Sequence, residues 1–168
     1  MEQKVGKANP IDRVWHVVEK VGVCMFVTRF ENGVRARPLE ARPNAAENLI
    51  YFLIDERGTK DDEIGVHPEV CLVFIDPDEK VYLSISGAGY CSRDTVKATE
   101  LWNDEQFAWW PAGPADANVR VMRVQPEFAE FWDGPANRDT VKYEFAVARS
   151  TGKQPNLGEN RKTKVEMI

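Results

Sequence analysis

The chain has 168 residues, 43% apolar and 29% charged, a size and balance that fit one globular domain and exclude a disordered or collagen-like chain. A formal charge of −5, from 22 Lys+Arg against 27 Asp+Glu, argues against attraction to phosphate backbones or anionic lipid, so neither nucleic acid nor membrane is an expected partner. No apolar run approaches the roughly 18 residues of a membrane span and the opening residues lack the apolar core of a signal peptide, so a cytoplasmic location is expected.

Asn9-Pro10 ahead of Ile11, Val14, Trp15, Val18 and Val21 sets a cap, a proline at the first helical position and an apolar stripe in order, and Gly22 ends the predicted helix. Residues 23–30 (VCMFVTRF) read as a buried strand, Asn32-Gly33 as a two-residue hairpin turn, and residues 34–42 as the alternating return strand. The next strand is expected over 49–55 (LIYFLID), followed by a polar loop over 56–60 and a short helix over 61–66. Residues 70–75 (VCLVFI) and 81–92 are predicted strands joined by a turn at 76–80. Gly87 and Gly89 mark a bulge or a close backbone approach in the longer one.

Asp94 caps a predicted helix running to about Asn103, with Val96, Leu101 and Trp102 as its apolar side. The stretch 107–114 carries three aromatic rings but also two prolines and a glycine, which prevent long regular structure. Residues 119–124 alternate as a final long strand that 130–133 extend past Pro126, with Trp132 expected beneath the barrel. A helix over 140–150 packing Val141, Phe145 and Ala148, and a polar tail from Gly152, complete the chain. Closely spaced strands with few, peripheral helices predict a mainly β (α+β) fold, an antiparallel barrel with flanking helices. It is expected as one domain over 1–168, with its core at about 11–135 and the helix and tail at 136–168.

Cys24, Cys71 and Cys91 form no CxxC pair and fall inside apolar runs, which reads as reduced packing residues. His16 and His67 have no Cys or His at ligand spacing, so no metal site is expected. Without a histidine base, Ser-His and Cys-His hydrolysis are disfavoured and no catalytic side chain is assigned. Chemistry in this chain is expected to be carried by a bound cofactor.

The order VCMFVTR (23–29), RARPL (35–39), IYFLID (50–55), a loop ending at Lys60, VCLVFIDP (70–77), YLSISGAG (82–89), ELW (100–102), WWPAGP (109–114) and EFWDGP (130–135), closed by GENRKTKV (158–165), resembles the pyridoxamine 5'-phosphate oxidase-like flavoproteins. Within them it is similar to the general stress protein branch. The resemblance implies an FMN-binding split barrel, a homodimer with flavin sites at its interface, and an FMN-dependent oxidoreductase with an unidentified small substrate. It carries flavin contacts onto Arg37, Pro38 and Leu39, onto Phe52, Leu53, Ile54 and Asp55, and onto Thr59 and Lys60 of the loop. Trp109 and Trp110 are expected at the dimer interface, with Trp110 shielding the isoalloxazine ring from the second subunit.

Arg37 and Lys60 are the expected phosphate pair, since a guanidinium offers fixed bidentate donors to a group near charge −2 and an ammonium a mobile point charge. Asp61, Asp62 and Glu63 bring negative charge close to that pair. Ile54 and Gly58 stand where the family shows a hydroxyl residue and a serine, which removes two expected phosphate hydrogen bonds, and Thr59 is the substitute donor. A second reading therefore stays open, a non-catalytic split-barrel dimer that holds flavin or another ligand. A deazaflavin- or haem-binding barrel is a third, and the haem version lacks an axial histidine. No basic cluster for a second phosphate is identifiable, so pyridoxamine phosphate oxidation itself is not expected.

Overall fold

The computed structural model describes residues 9–57, 60–133, 138–155 and 161–168. Helix α1 (Pro10–Val21) begins at Asn9, whose side chain accepts the Ile11 amide, and ends at Gly22, where a φ of 71° turns the chain back toward the sheet. Its Val14, Val17 and Val18 are buried in the core.

Strand β1 (Val23–Phe30) pairs antiparallel with β2 (Gly33–Glu40), Phe30 opposite Gly33, so the turn is Glu31-Asn32 and not Asn32-Gly33. The expected return strand over 34–42 is broken. Ala41 is buried at the break with its amide on the Gly22 carbonyl at 2.7 Å, and β3 (Arg42–Asn44) leaves β1 to pair with β4 (Leu49–Asp55). Alternation along a strand reports which face is buried and not which neighbour it bonds, so the change of partner left no trace in the pattern.

Helix α2 (Lys60–Val66) leads to the hairpin of β5 (Glu69–Asp76) and β6 (Val81–Ser92). Helix α3 (Thr95–Leu101) is capped by Asp94, whose Oδ1 accepts the Lys97 amide at 2.9 Å, and gives way before Asn103 to a 3-10 turn at Asp104–Ala108. Strand β7 (Val119–Asp133) runs unbroken through Pro126. There the β6 register shifts between Ser86 and Gly87, and Gly87 lies opposite Pro126, so the proline falls where the ladder is already irregular.

The last two elements depart furthest from expectation. Helix α4 (Arg138–Thr151) leaves Phe145 exposed and not packed, and the Val141 side chain lies outside the described residues. The expected polar tail ends instead in strand β8 (Arg161–Glu166), which pairs with the second half of β7 and brings Val165 and Met167 into the core. Two apolar residues at spacing two among lysines are enough for a half-buried edge strand once β7 offers a free ladder. Trp132 is correspondingly on the outer face with the Lys162 ammonium 5.3 Å from its ring, and Phe131 is the residue that turns inward.

The sheet order is β2-β1-β5-β6-β7-β4-β3, with β8 beside β4 on the same edge of β7. Its two ends, β2 and β3, are consecutive in the chain, so the sheet curls until its edges meet at Ala41 with no ladder between them. This is a mainly β antiparallel split barrel with flanking helices. Alternation divides β4 between two apolar layers: Ile50, Phe52 and Ile54 face the barrel core, whereas Tyr51 and Leu53 face outward under Ala98, Trp102 and Trp110. Among the described residues no helix is long and apolar enough to cross a membrane.

Candidate functional site

The seam where β2 and β4 meet without a ladder opens into a cavity of about 450 Å³, roofed by the segment that follows α3. Pro38, Leu39, Leu53, Ile54, Asp55, Trp109 and Trp110 of the residues singled out in the sequence line it, joined by Val23, Glu40, Arg42 and Gln106. Phe52, fully buried on the inner face of β4, does not. Thr59 and Gly58 lie outside the described residues, and Lys60 is described only through its backbone, at the start of α2.

Trp110 of the same chain lines this wall. Successive turns fold the 104–114 segment over the outer face of β4, with the Trp109 and Trp110 amides on the Gln106 carbonyl at 3.0 Å each. The Trp110 ring packs 6.0 Å from Trp102, which meets Phe107 edge-on at 5.4 Å, while Trp109 stands 72% exposed at the mouth. The buried Trp110 side chain also reaches the Asp55 carboxylate, which it helps Arg57 to lower.

Arg42 ties the roof to the barrel: its Nε donates to the Leu101 carbonyl at 3.0 Å, and its Nη2 donates to Gln106 Oε1 at 2.9 Å and to Glu40 Oε2 at 3.1 Å. The buried Gln106 thereby becomes part of the wall, a role nothing in the sequence signalled. At the other end of the wall, Asp55 Oδ1 accepts the Arg57 amide and Nε at 2.8 and 2.9 Å, and Oδ2 accepts Nη2 at 2.5 Å. The Arg57 side chain is the main reason the Asp55 carboxyl lies below its ordinary range, against a smaller upward push from burial. Both carboxylates of the wall are thus paired with arginines.

Arg37 shares a strand face with Leu39 but turns to the α2 side of the barrel, where its Nη1 and Nη2 donate to Glu63 Oε2 at 3.2 and 3.1 Å. The same oxygen accepts the Thr28 hydroxyl at 2.6 Å, and Arg35 lies 3.5 Å from Oε1. Glu63 is buried there, which the charge count of α2 did not suggest and which only the proximity of β1 and β2 explains. Two guanidiniums against one carboxylate leave this cluster a net positive charge. Among the described residues, Arg37 Nε–H and the second N–H on each Nη meet no acceptor. Cys24 is buried and its thiol is pushed up to about 12 by that burial, in keeping with a packing role.

Comparison with known proteins gives one family. The family described as pyridoxamine 5'-phosphate oxidase like matches residues 9–156. Among solved structures, a candidate general stress protein 26 from Jannaschia sp. CCS1 superposes with a TM-score of 0.70 at 22% identity, covering 95% of this chain and 99% of that one. The general stress FMN/FAD binding protein of Xanthomonas citri gives 0.64 at 23% identity, over 73% of this chain and 87% of that one. A pyridoxamine 5'-phosphate oxidase-related, FMN binding protein of Nostoc punctiforme gives 0.64 at 14%, over 95% and 97%. At these identities the likeness to solved structures is one of fold. No curated protein matches the sequence.

Proposed function

The chain belongs to the pyridoxamine 5'-phosphate oxidase-like family, and on that premise we propose that it is an FMN-binding flavoprotein of the general stress protein type, with the flavin ring in the cavity between β2, β4 and Trp110. The observation that carries this reading is convergence: Pro38 and Leu39, Leu53 to Asp55, and Trp110 come from three distant stretches of chain and wall one cavity. Its volume lies within the roughly 300–1,000 Å³ usual for small-molecule sites.

The residues fit the group. A largely apolar wall suits a planar ring, and the positive cluster of Arg35, Arg37 and Glu63 suits a phosphate. When bound, the flavin supplies the redox chemistry. Leu39 and Leu53 would pack the ring, Trp110 would exclude water from one side, and Arg37 and Lys60 would hold the phosphate. A homodimer belongs to the same reading. Val23, Met25, Ile75 and Tyr82 are exposed, alternation sets them on the face opposite the core, and Val23 also lines the cavity.

A second reading, a flavin-holding protein without turnover, is favoured by the wall itself: Glu40 and Asp55 are both tied to arginines, and Ile54 adds no hydroxyl. Titration of the purified protein with FMN, followed by its visible band, tests the proposal. A saturable spectral change, with FMN released on denaturation, is expected. A colourless protein that leaves the FMN spectrum unchanged would overturn it. Bleaching of the bound band by a nicotinamide donor separates an oxidoreductase from a binder.

A further inference from the structure

Gln106 is 7% exposed, lines the cavity, and has its side chain held in one orientation. Its Oε1 accepts Arg42 Nη2 at 2.9 Å, and a guanidinium offers no acceptor in return, so the amide nitrogen is turned away from Arg42. Arg42 is itself fixed, with its Nε on the Leu101 carbonyl at 3.0 Å and its Nη2 also on Glu40 Oε2 at 3.1 Å. The backbone is tied as well. The Gln106 N–H donates to the Asn103 carbonyl at 3.1 Å, and its own carbonyl accepts the Trp109 and Trp110 amides at 3.0 Å each. Among the described residues Gln106 Nε2 meets no acceptor. A largely buried donor is costly to leave unpaired, and one already locked on a cavity wall loses little further freedom when an acceptor arrives.

We propose that Gln106 Nε2 is the donor by which the cavity recognises its ligand, with Arg42 as the residue that positions it, so that the site selects a planar ring with a carbonyl oxygen or ring nitrogen on the edge facing the roof. This rests on the flavin reading and assigns that acceptor to the isoalloxazine edge. The rest of the wall agrees. Leu39, Leu53 and Ile54 are apolar, and the Glu40 and Asp55 carboxylates are already paired with Arg42 and Arg57. The wall thus offers a ligand an amide donor, not an unpaired carboxylate. Tying the roof to the barrel uses only the Oε1 of Gln106, so the two ends of the side chain have separable roles.

Gln106→Glu tests this, because a carboxylate at this position still accepts Arg42 Nη2, now as an ion pair, but has no N–H to give a ligand. Gln106→Met, of similar length, lacks both the donor and the charge. FMN and riboflavin are titrated into the wild type and both variants, and the melting temperature of each flavin-free protein is recorded. Gln106→Glu is expected to melt no lower than the wild type and to weaken FMN binding about tenfold, the size of one net hydrogen bond, with a displaced visible band. Gln106→Met is expected to weaken it to a similar extent. Both losses should be the same for riboflavin, which shares the ring and lacks the phosphate. Wild-type FMN affinity in Gln106→Glu would overturn the assignment. So would a loss confined to FMN, which belongs to the phosphate, or a loss in Gln106→Glu that comes with a lower melting temperature, which is failure of the roof. A wild-type protein that binds no FMN overturns the flavin reading itself, and this assignment with it.

Discussion

Glu63 of α2 meets partners from two other elements: the Thr28 hydroxyl of β1, and Arg35 and Arg37 of β2. A buried carboxylate in that setting is held by its cations, and removing it leaves two guanidiniums facing each other. Glu63→Ala is expected to lower stability by about 3 kcal/mol in urea denaturation, the scale of a broken buried ion pair. Arg37 has a second expected role beyond this pair. If it holds a phosphate through its remaining N–H groups, Arg37→Ala weakens FMN roughly tenfold to a hundredfold while riboflavin, which lacks the phosphate, keeps its affinity. Equal losses for both ligands in parallel titrations would remove the phosphate role. Arg37 was legible in the sequence because of the RPL motif, whereas its partner was not: Glu63 lies 26 positions away, and only folding brings α2 against β2.

At the scale of elements, the β6–β7 ladder depends on one missing side chain. A Cβ on Gly87 would lie 2.1 Å from the Gln125 carbonyl oxygen, a backbone atom that cannot rotate away. Gly87→Ala is expected to cost roughly 3 kcal/mol and to lower the melting temperature accordingly. Helix α1 is fastened to the β5–β6 turn by Asp76, whose Oδ2 lies 2.6 Å from Lys20 Nζ and whose Oδ1 accepts the Asp78 and Glu79 amides at 3.1 Å. The Lys20 contact first, and then the Glu79 amide, holds the Asp76 carboxyl below its ordinary value of 3.8. A carboxyl lowered on folding adds stability above its unfolded value and loses it as pH falls through the folded one. Asp76→Asn is therefore expected to be less stable than wild type at pH 7, the two converging in strong acid, as read by denaturation across a pH series. Strands 23–30, 49–55 and 81–92 were legible to the residue because turn formers bracket them. The break at Ala41 and the strand Arg161–Glu166 were not, since each exists only because a distant ladder is available.

For the molecule as a whole, the split barrel leaves an apolar strip of Val23, Met25, Ile75 and Tyr82 exposed on its outer face, running into the cavity through Val23. A second copy covering that strip would bury it and close the cavity mouth beside Trp109. Light scattering of the purified chain is expected to give a dimer, and Met25→Asp a monomer with weaker FMN binding. A monomeric wild type at high concentration would remove the dimer from the proposed function.

Local pattern determined most of the strands, the capped first helix and the family. Those features are written in periodicity, turn chemistry and ordered motifs, each of which spans only a few positions. Tertiary structure alone decided the partner change at Ala41, the strand at the C-terminus and the Glu63 clamp on Arg37. In each case the deciding quantity is which groups from remote stretches meet, or fail to meet, once the sheet curls closed, and no window of sequence contains both partners.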